Sequence, residues 1–209
     1  MKPTVLDLRR KKGARLAMLT AYDFPTARLV AEAGVDLILV GDSLGMVVLG
    51  YDTTLPVTVA DMVHHTRAVR RGAPEAFVIA DLPFLSYGTP AQALDSAARL
   101  MKEALADSVK LEGGEEVVPI VEALVRAGVP VMGHVGLTPQ TASALGGYKL
   151  QGKDEAAAKR IKAWLQYAEG DGQSVAKELQ YAPLPDDLHT KAMAKVDGLQ
   201  CNGAAISGT

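Results

Sequence analysis

One pattern recurs along the chain from residue 16: a short apolar run, a loop that contains Asp, Gly or Pro, and then a segment with helical spacing. The apolar runs lie at residues 16–21, 35–40, 77–80, 108–111 and 129–133. Strands that alternate with helices pair in parallel through right-handed crossovers, because each helix returns the chain to the same end of the sheet. The sequence therefore predicts an α/β fold with a parallel sheet.

Signals at the ends of the intervening segments support their assignment as helices. The Thr-Pro pairs at residues 89–90 and 138–139 each offer an N-cap followed by proline in the first helical position. Gly34 and Gly128 each follow a helical run and precede the next strand, where a left-handed C-cap is expected.

The number of repeats sets the expected architecture. A complete eight-stranded β/α barrel, or TIM barrel, takes about 250 residues, whereas this chain offers about five strand–helix units. After residue 152 the rhythm stops, and helices are predicted at 154–169, 174–181 and 185–195 before a flexible tail at 198–209. We predict a partial β/α barrel over residues 1–163 and a divergent helical tail over residues 164–209.

Composition restricts the class of protein. The 209 residues are 48% hydrophobic, and 22 basic against 24 acidic side chains give a net charge of −2. Binding to nucleic acid requires clustered excess Lys and Arg, but the basic stretches at 9–12 and 67–71 are short and typical of solvated helix ends. No apolar run approaches the roughly 18 residues of a membrane span. No nucleic-acid or membrane partner is expected.

The cellular compartment is predicted from cysteine usage and the N-terminus. Cys201 is the single cysteine, so an intrachain disulfide framework is impossible and a reducing compartment is compatible. The first residues lack an apolar core followed by a small-residue cleavage site. We therefore expect a cytoplasmic protein.

Three of the strand-like runs end in an acid: Asp42 in LILVGDS, Asp81 in FVIADLPF and Glu112 in SVKLEGG. In barrels and open α/β sheets the active site lies at the carboxyl ends of the strands, so these carboxylates are expected to converge. Lys110 lies two residues before Glu112, and alternate residues of a strand share a face. One face thus carries a cation beside an acid.

This set of residues favours a particular chemistry. Three hard oxygen ligands with little Cys or His nearby favour Mg²⁺ or a similar ion. Such an ion chelates the carboxylate and keto oxygens of a 2-oxo acid and lowers the cost of forming an enolate, and Lys110 would stabilise the same oxyanion. The alternative is that each acid only caps the following helix. Three acids at strand ends, together with Lys110 on the same strand face as Glu112, favour a site instead.

Longer blocks carry a more specific signal. The strings LTAYDFPTARLVAEAGVD, LVGDSLGMVVLGYDTTLPVTVADMVHHTRAVRRGAP, ADLPFLSYGTP, VKLEGG, GHVGLTPQ and GGYKLQG occur in this order. Over residues 1 to about 160 they resemble the signature blocks of the ketopantoate hydroxymethyltransferase family. The resemblance implies a β/α barrel, a decameric homo-oligomer and an early step of pantothenate biosynthesis.

The resemblance also implies roles for individual residues. Asp42 matches a residue that reaches the metal and the substrate, and Ser43 matches a contact to the 2-oxo acid. Asp81 matches a second metal-associated acid that lies against the substrate. Lys110 matches the substrate-binding lysine, and Glu112 the third metal-associated acid. The implied reaction removes a proton from C3 of 3-methyl-2-oxobutanoate, and the enolate attacks the methylene carbon of 5,10-methylenetetrahydrofolate.

The remaining polar candidates have weaker signals. The resemblance places His134 near the substrate pocket, although a lone strand histidine is more often a hydrogen-bonded structural residue. His64 and His65 are adjacent in a helical segment and do not share a face, so solvent exposure or helix packing is expected rather than a metal site. Asp23 follows the first strand and is expected to cap the next helix, outside the site.

The sequence departs from the family towards its end. The family's general base, a glutamate in an apolar block of the type LVLEGVP, and the later block IGIGAG are not recognisable, so the catalytic base stays unassigned. The string AKELQYAPLPDDLHTKAMAKVDGL instead shows a weak resemblance to the end of periplasmic phosphate-binding proteins. Two unrelated family ends suggest a chimera, a frameshift product or a replaced segment.

Several interpretations therefore stand beside each other. The first is a 3-methyl-2-oxobutanoate hydroxymethyltransferase that uses Mg²⁺ and folate. The second is an inactive or binding-only barrel fragment of the same family, whose homo-oligomeric state is open because the chain is short. A related metal-dependent lyase would show no folate dependence, and a phosphate-binding module would bind phosphate.

Overall fold

The structure, a computed structural model, describes residues 2–11, 14–144, 147, 155–169, 186–201 and 204–206. The chain forms two compact units. The first comprises Met1–Leu111 with Val129–Met132, and the second comprises Glu112–Gly128 with Gly133–Thr209.

Strands alternate with helices through the first unit. Its helices are α1 (Val5–Arg10), α2 (Phe24–Glu32), α3 (Leu44–Val47), α4 (Val59–Gly72) and α5 (Pro90–Lys102). Its strands are β1 (Met18–Thr20), β2 (Leu37–Val40) and β3 (Phe77–Asp81), and β4 (Ser108–Glu112) and β5 (Val131–His134) each run across the division between the units.

The sheet has the order β1-β2-β3-β4-β5. The pairs β1–β2, β2–β3 and β3–β4 are parallel, and the register places Leu39 opposite Ile79 and Asp81 opposite Lys110. Each predicted apolar run overlaps one of these five strands, and β3, β4 and β5 each end one residue beyond the predicted run. The predicted α/β class, with parallel strands and intervening helices, is confirmed.

The core of the first unit explains why β2 and β3 are almost wholly apolar. All five residues of β3 are buried, since the strand lies between two neighbours in the sheet. Leu37, Phe77 and Ile79 form a buried cluster against which Val5 and Leu8 of α1 pack. A strand covered in this way reads as a continuous apolar run rather than an alternating one.

The helix signals are largely confirmed. Asp23 caps α2, because its Oδ1 accepts a hydrogen bond from the Thr26 N–H at 2.7 Å. Thr89 caps α5, which begins at Pro90. Gly34 and Gly128 have φ values of 77° and 82°, the left-handed conformation expected after a helix. Thr138 differs, since it precedes only a short 3₁₀ turn, Pro139–Thr141, without a side-chain cap.

The second unit is mainly helical. It contains a 3₁₀ turn (Glu115–Val117), α6 (Val118–Arg126), α7 (Glu155–Glu169), α8 (Asp186–Asp197) and the antiparallel strands β6 (Gln200–Cys201) and β7 (Ala204–Ala205). The ring of Trp164 in α7 lies directly over Gly133, where a Cβ would overlap it. This packing explains why a glycine is needed at Gly133.

The C-terminal predictions have mixed outcomes. The helices predicted at 154–169 and 185–195 are observed as α7 and α8, and the one predicted at 174–181 lies outside the described residues. The predicted flexible tail differs from the structure, which forms β6 and β7 there. Ile206 is buried and its carbonyl accepts a hydrogen bond from the ammonium of Lys162 at 3.1 Å, which ties the segment to α7. The predicted division after residue 163 falls within α7 and stays a prediction.

None of the helices in the described ranges has the length and apolar character that crossing a membrane requires.

Candidate active site

A buried ion pair lies at the carboxyl ends of β3 and β4. Asp81, the last residue of β3, is 3% exposed, and its Oδ1 accepts a hydrogen bond from the Lys110 ammonium at 2.9 Å. The two residues are register partners, so the pleat points both side chains to the same face. The sequence predicts Lys110 beside Glu112 on one face of β4, whereas the ion pair observed here joins Lys110 to Asp81 of the neighbouring strand.

The loop after β2 is held against this pair. The second oxygen of Asp81 accepts a hydrogen bond from the backbone N–H of Asp42 at 3.1 Å. Asp42 is itself buried. A Cβ at Gly41 would lie 2.9 Å from the Ser43 hydroxyl and 3.5 Å from Asp81 Oδ2, so a side chain there would press on both groups. The GDS sequence thus lets two polar residues sit beside Asp81.

Tyr22 joins this cluster although sequence reasoning left it out. Its hydroxyl lies 2.8 Å from the hydroxyl of Ser43, and its backbone carbonyl lies 2.7 Å from Nδ1 of His65 in α4. All three side chains are partly buried. The signal was available, since Tyr22 follows β1 just as Asp42 follows β2. His65 packs against the loop that contains Tyr22, in agreement with the helix packing expected for this histidine.

Glu112 lies in the second unit. Its carboxylate is 4% exposed, with Oε1 accepting a hydrogen bond from the Gln140 N–H at 2.6 Å and Oε2 lying 3.0 Å from Nδ1 of His134. The carbonyl of His134 accepts a further hydrogen bond from the Gly113 N–H at 3.1 Å. His134 is therefore hydrogen bonded, as its place on a strand predicts, and it orients the Glu112 carboxylate.

Four of the five predicted site residues thus belong to the first unit. Asp42, Ser43, Asp81 and Lys110 come together there through the contacts above, and Glu112 belongs to the second unit.

The donor groups of the first unit are compatible with Mg²⁺. Within the described parts of the chain, no group of three or more His, Cys, Asp or Glu side chains is arranged to hold a metal. Magnesium differs from most protein-bound metals in that one or two carboxylates plus water and substrate oxygens suffice to bind it. Asp42 and Asp81 supply two buried carboxylates, and Ser43 supplies a neutral oxygen. This oxygen set suits a hard dication.

Comparison with known proteins gives a consistent result. A family model described as ketopantoate hydroxymethyltransferase matches residues 2–182. The 3-methyl-2-oxobutanoate hydroxymethyltransferase of Thermus thermophilus is 59% identical over 200 residues, which is 95% of this chain and 77% of that protein. The enzyme of the same name from Oleidesulfovibrio alaskensis is 50% identical over 97% of this chain and 73% of its own length. The similarity extends beyond residue 160, where the sequence predicts that it stops.

Solved structures support the fold. A 2,3-dimethylmalate lyase, a member of the PEP mutase/isocitrate lyase superfamily, matches with a TM-score of 0.55 and 18% identity over 86% of this chain and 67% of its own. A phosphonopyruvate hydrolase in complex with oxalate and Mg²⁺ matches with a TM-score of 0.57 and 15% identity over 90% and 75%. Likeness at this identity shows the fold alone, and it confirms the predicted TIM-barrel family.

Proposed function

The chain belongs to the ketopantoate hydroxymethyltransferase family, and we propose that it is a 3-methyl-2-oxobutanoate hydroxymethyltransferase. In the overall hydroxymethyl transfer, 5,10-methylenetetrahydrofolate supplies the methylene carbon and water the hydroxyl oxygen, so that 3-methyl-2-oxobutanoate becomes 2-dehydropantoate for pantothenate biosynthesis and tetrahydrofolate is released. The observation that carries the proposal is 59% identity over 95% of the chain to an enzyme of that name. The buried Lys110–Asp81 pair beside Asp42 is a second support.

The charges of the cluster suit a 2-oxo acid. Among the residues of the first unit alone, Asp42 and Asp81 contribute two negative charges and Lys110 one positive charge, so a dication would leave this group with one net positive charge. A monoanionic carboxylate substrate would neutralise that charge. The hydroxyl of Ser43 lies 2.8 Å from that of Tyr22, and when Tyr22 is the donor in this hydrogen bond the Ser43 proton is left to donate to the substrate.

Asp42 and Asp81 are the residues of the first unit that would hold Mg²⁺. When bound, the ion polarises the keto group and stabilises negative charge on its oxygen. Glu112 keeps its predicted role as a metal-associated acid, and the folate co-substrate is likewise part of the proposal. The preference for magnesium rests on the oxygen donors alone.

Lys110 and Asp81 assist the removal of the proton from C3 of 3-methyl-2-oxobutanoate. Lys110 stabilises the oxyanion that develops as the proton leaves, because an ammonium group in a site withdrawn from water acts more strongly than one in bulk solvent. Asp81 holds the ammonium in place. The nucleophilic carbon then attacks the methylene carbon of the folate. The base that accepts the proton remains unassigned.

The test is formation of ketopantoate from 3-methyl-2-oxobutanoate, methylenetetrahydrofolate and Mg²⁺. We expect Lys110→Met and Asp81→Asn to lower kcat/KM by about 100-fold or more, as removal of a group that stabilises an oxyanion does. Asp52→Asn, at an exposed position in the loop that follows α3, is the matched control and should retain activity. Full activity in Lys110→Met would show that the assigned site is wrong.

The binding-only alternative is not favoured, since identity to enzymes extends over most of the chain. Calorimetry with Mg²⁺ and 3-methyl-2-oxobutanoate separates the two, because binding without product would support that alternative. A cytoplasmic location and a homo-oligomer, as in the family's decamers, remain part of the proposal, and sedimentation analysis measures the oligomeric state.

A further inference from the structure

The basic stretch at the end of α4 divides into two groups with different surroundings. Arg70 is buried and its guanidinium pairs with the carboxylate of Asp107 at 2.5 Å. Arg67 and Arg71 are exposed. Neighbouring residues of a helix differ by about 100° in direction, so Arg70 and Arg71 face different ways, whereas Arg67 and Arg71 share a face. The stretch is therefore not simply a solvated helix end.

The exposed arginines line a concave site between α4 and α5. Its volume is about 340 Å³, within the range of small-molecule sites. The lining residues are Ala60, Val63, His64, Arg67, Arg71 and Arg99. All but Arg99 lie on one face of α4, and Arg99 reaches the site from α5. Three guanidinium groups and an imidazole thus surround one cavity.

The positive charge of this cavity is only partly compensated. Arg99 forms an ion pair with Glu103 at 3.2 Å. Across the part of the chain that the structure describes, the side chains of Arg67 and Arg71 form no ion pair or hydrogen bond. Like charges four residues apart on a helix repel each other and destabilise it. A bound anion would remove that repulsion.

We propose that this cavity binds a small anion that carries one or more phosphate groups. Arginine is the residue best suited to phosphate, because its planar fork donates two parallel hydrogen bonds to two oxygens. Two uncompensated guanidinium groups match the two charges of a phosphate group at neutral pH. Ala60 and Val63 contribute an apolar surface to the cavity, which can contact a non-polar part of the ligand. None of these residues belongs to the proposed active site.

The experiment titrates the full chain with pyrophosphate at low ionic strength without Mg²⁺ and follows binding by calorimetry. We expect the parent to bind and Arg67→Gln/Arg71→Gln to raise the Kd by about tenfold or more, since the variant loses both charge-assisted hydrogen-bond donors of α4 that are not engaged in an ion pair. Arg28→Gln/Lys102→Gln removes two exposed charges from α2 and α5 outside the cavity and should change the Kd by less than about twofold.

A local readout distinguishes this cavity from other cationic groups. The chain has four histidines, so the ring signals of His64 can be assigned in NMR spectra by comparison with His64→Gln. The His64 signals should shift with pyrophosphate in the parent and stay fixed in Arg67→Gln/Arg71→Gln. The proposal is wrong if the parent shows no binding at about 10 mM pyrophosphate, because the Kd would then be too high for a specific site. It is equally wrong if the control pair weakens binding as much as the arginine pair does.

Discussion

The ammonium nitrogen of Lys110 lies 2.9 Å from Oδ1 of Asp81, and the two residues are register partners on parallel strands. Their side chains are 14% and 4% exposed. A pair so withdrawn from water contributes little net stability, because the loss of hydration offsets the attraction, but removing one partner leaves an uncompensated charge. The pair therefore couples the proposed chemistry of the site to the stability of the first unit.

Lys110→Met is expected to lower the free energy of unfolding by about 3 kcal/mol, because it leaves the Asp81 carboxylate buried without its cation. Asp81→Asn should be destabilising for the converse reason. In the double variant neither charge is present, so its loss should be smaller than the sum of the single losses by about 1 kcal/mol or more. Urea denaturation of the four proteins measures this coupling. Additivity within about 0.5 kcal/mol would show that the two side chains do not interact.

Tyr22→Phe tests whether the Tyr22 hydroxyl positions Ser43. The variant keeps the ring and loses the hydrogen bond at 2.8 Å, so the Ser43 hydroxyl is free to rotate. We expect KM for 3-methyl-2-oxobutanoate to rise about fivefold, the effect of one neutral hydrogen bond of about 1 kcal/mol, with a smaller change in kcat. Ser43→Ala should raise KM at least as much.

The control for this prediction is Tyr51→Phe, which removes an equivalent hydroxyl from a tyrosine that is 41% exposed. Its KM should equal that of the parent. If Tyr22 acts only through Ser43, adding Tyr22→Phe to Ser43→Ala should change KM no further. Independent effects of the two substitutions would contradict a positioning role.

The sequence predicts the backbone of this site better than its side-chain contacts. Asp81 was identified because β3 is a continuous apolar run that ends at an acid, which is what a fully buried parallel strand requires. The hydrogen bond between Tyr22 and Ser43 joins two loops that are 21 residues apart and depends on how β1 and β2 pair. Local patterns carry no information on such a contact, although the position of Tyr22 after a strand was a usable signal.

The same distinction applies to charged residues on helices. The phase of α4 places Met62, Thr66 and Arg70 among its buried residues, so an inward-facing arginine was foreseeable from periodicity. Its partner Asp107 lies 37 residues further along the chain, and periodicity could not predict this contact. The C-terminal segment is a case in which composition was misleading. Its small polar residues after 198 predict a flexible tail. In the structure, however, Ile206 is buried, and the residues just before it form the short antiparallel pair of β6 and β7.

The capping box at the start of α4 predicts a pH dependence of stability. Burial raises the pKa of Asp61, but hydrogen bonds from the hydroxyl and backbone N–H of Thr58 and the charges of His65 and His64 outweigh it, so the pKa is lowered from 3.8. A carboxyl group with a lowered folded-state pKa stabilises the fold above its unfolded-state pKa. That contribution is lost as the pH falls through the lower folded-state value.

Asp61→Asn should therefore differ most from the parent in free energy of unfolding above about pH 5 and progressively less below pH 3.8. Urea denaturation at several pH values from about 2.5 to about 7 measures this difference, because the range includes both the protonated and the ionised form of the Asp61 carboxyl group. In a Thr58→Ala background, which costs about 1 kcal/mol by itself, the same substitution should show a weaker pH dependence. A difference that stays constant down to the lowest pH would contradict the lowered pKa.

Arg70→Lys tests whether the buried guanidinium is replaceable by an equal charge. Arg70 donates to the carbonyl oxygens of Ala76 and Leu105 at 2.8 and 2.9 Å and to the carboxylate of Asp107 at 2.5 Å. A lysine keeps the charge but has a single nitrogen, so it cannot reach all three acceptors at once. We expect the free energy of unfolding to fall by about 2–3 kcal/mol, the cost of leaving buried acceptors unpaired. Arg71→Lys, at the exposed neighbouring position, should leave stability within about 0.5 kcal/mol of the parent. Equal stability of the two variants would show that charge alone, rather than the fork of donors, holds the end of α4 against the loop before β4.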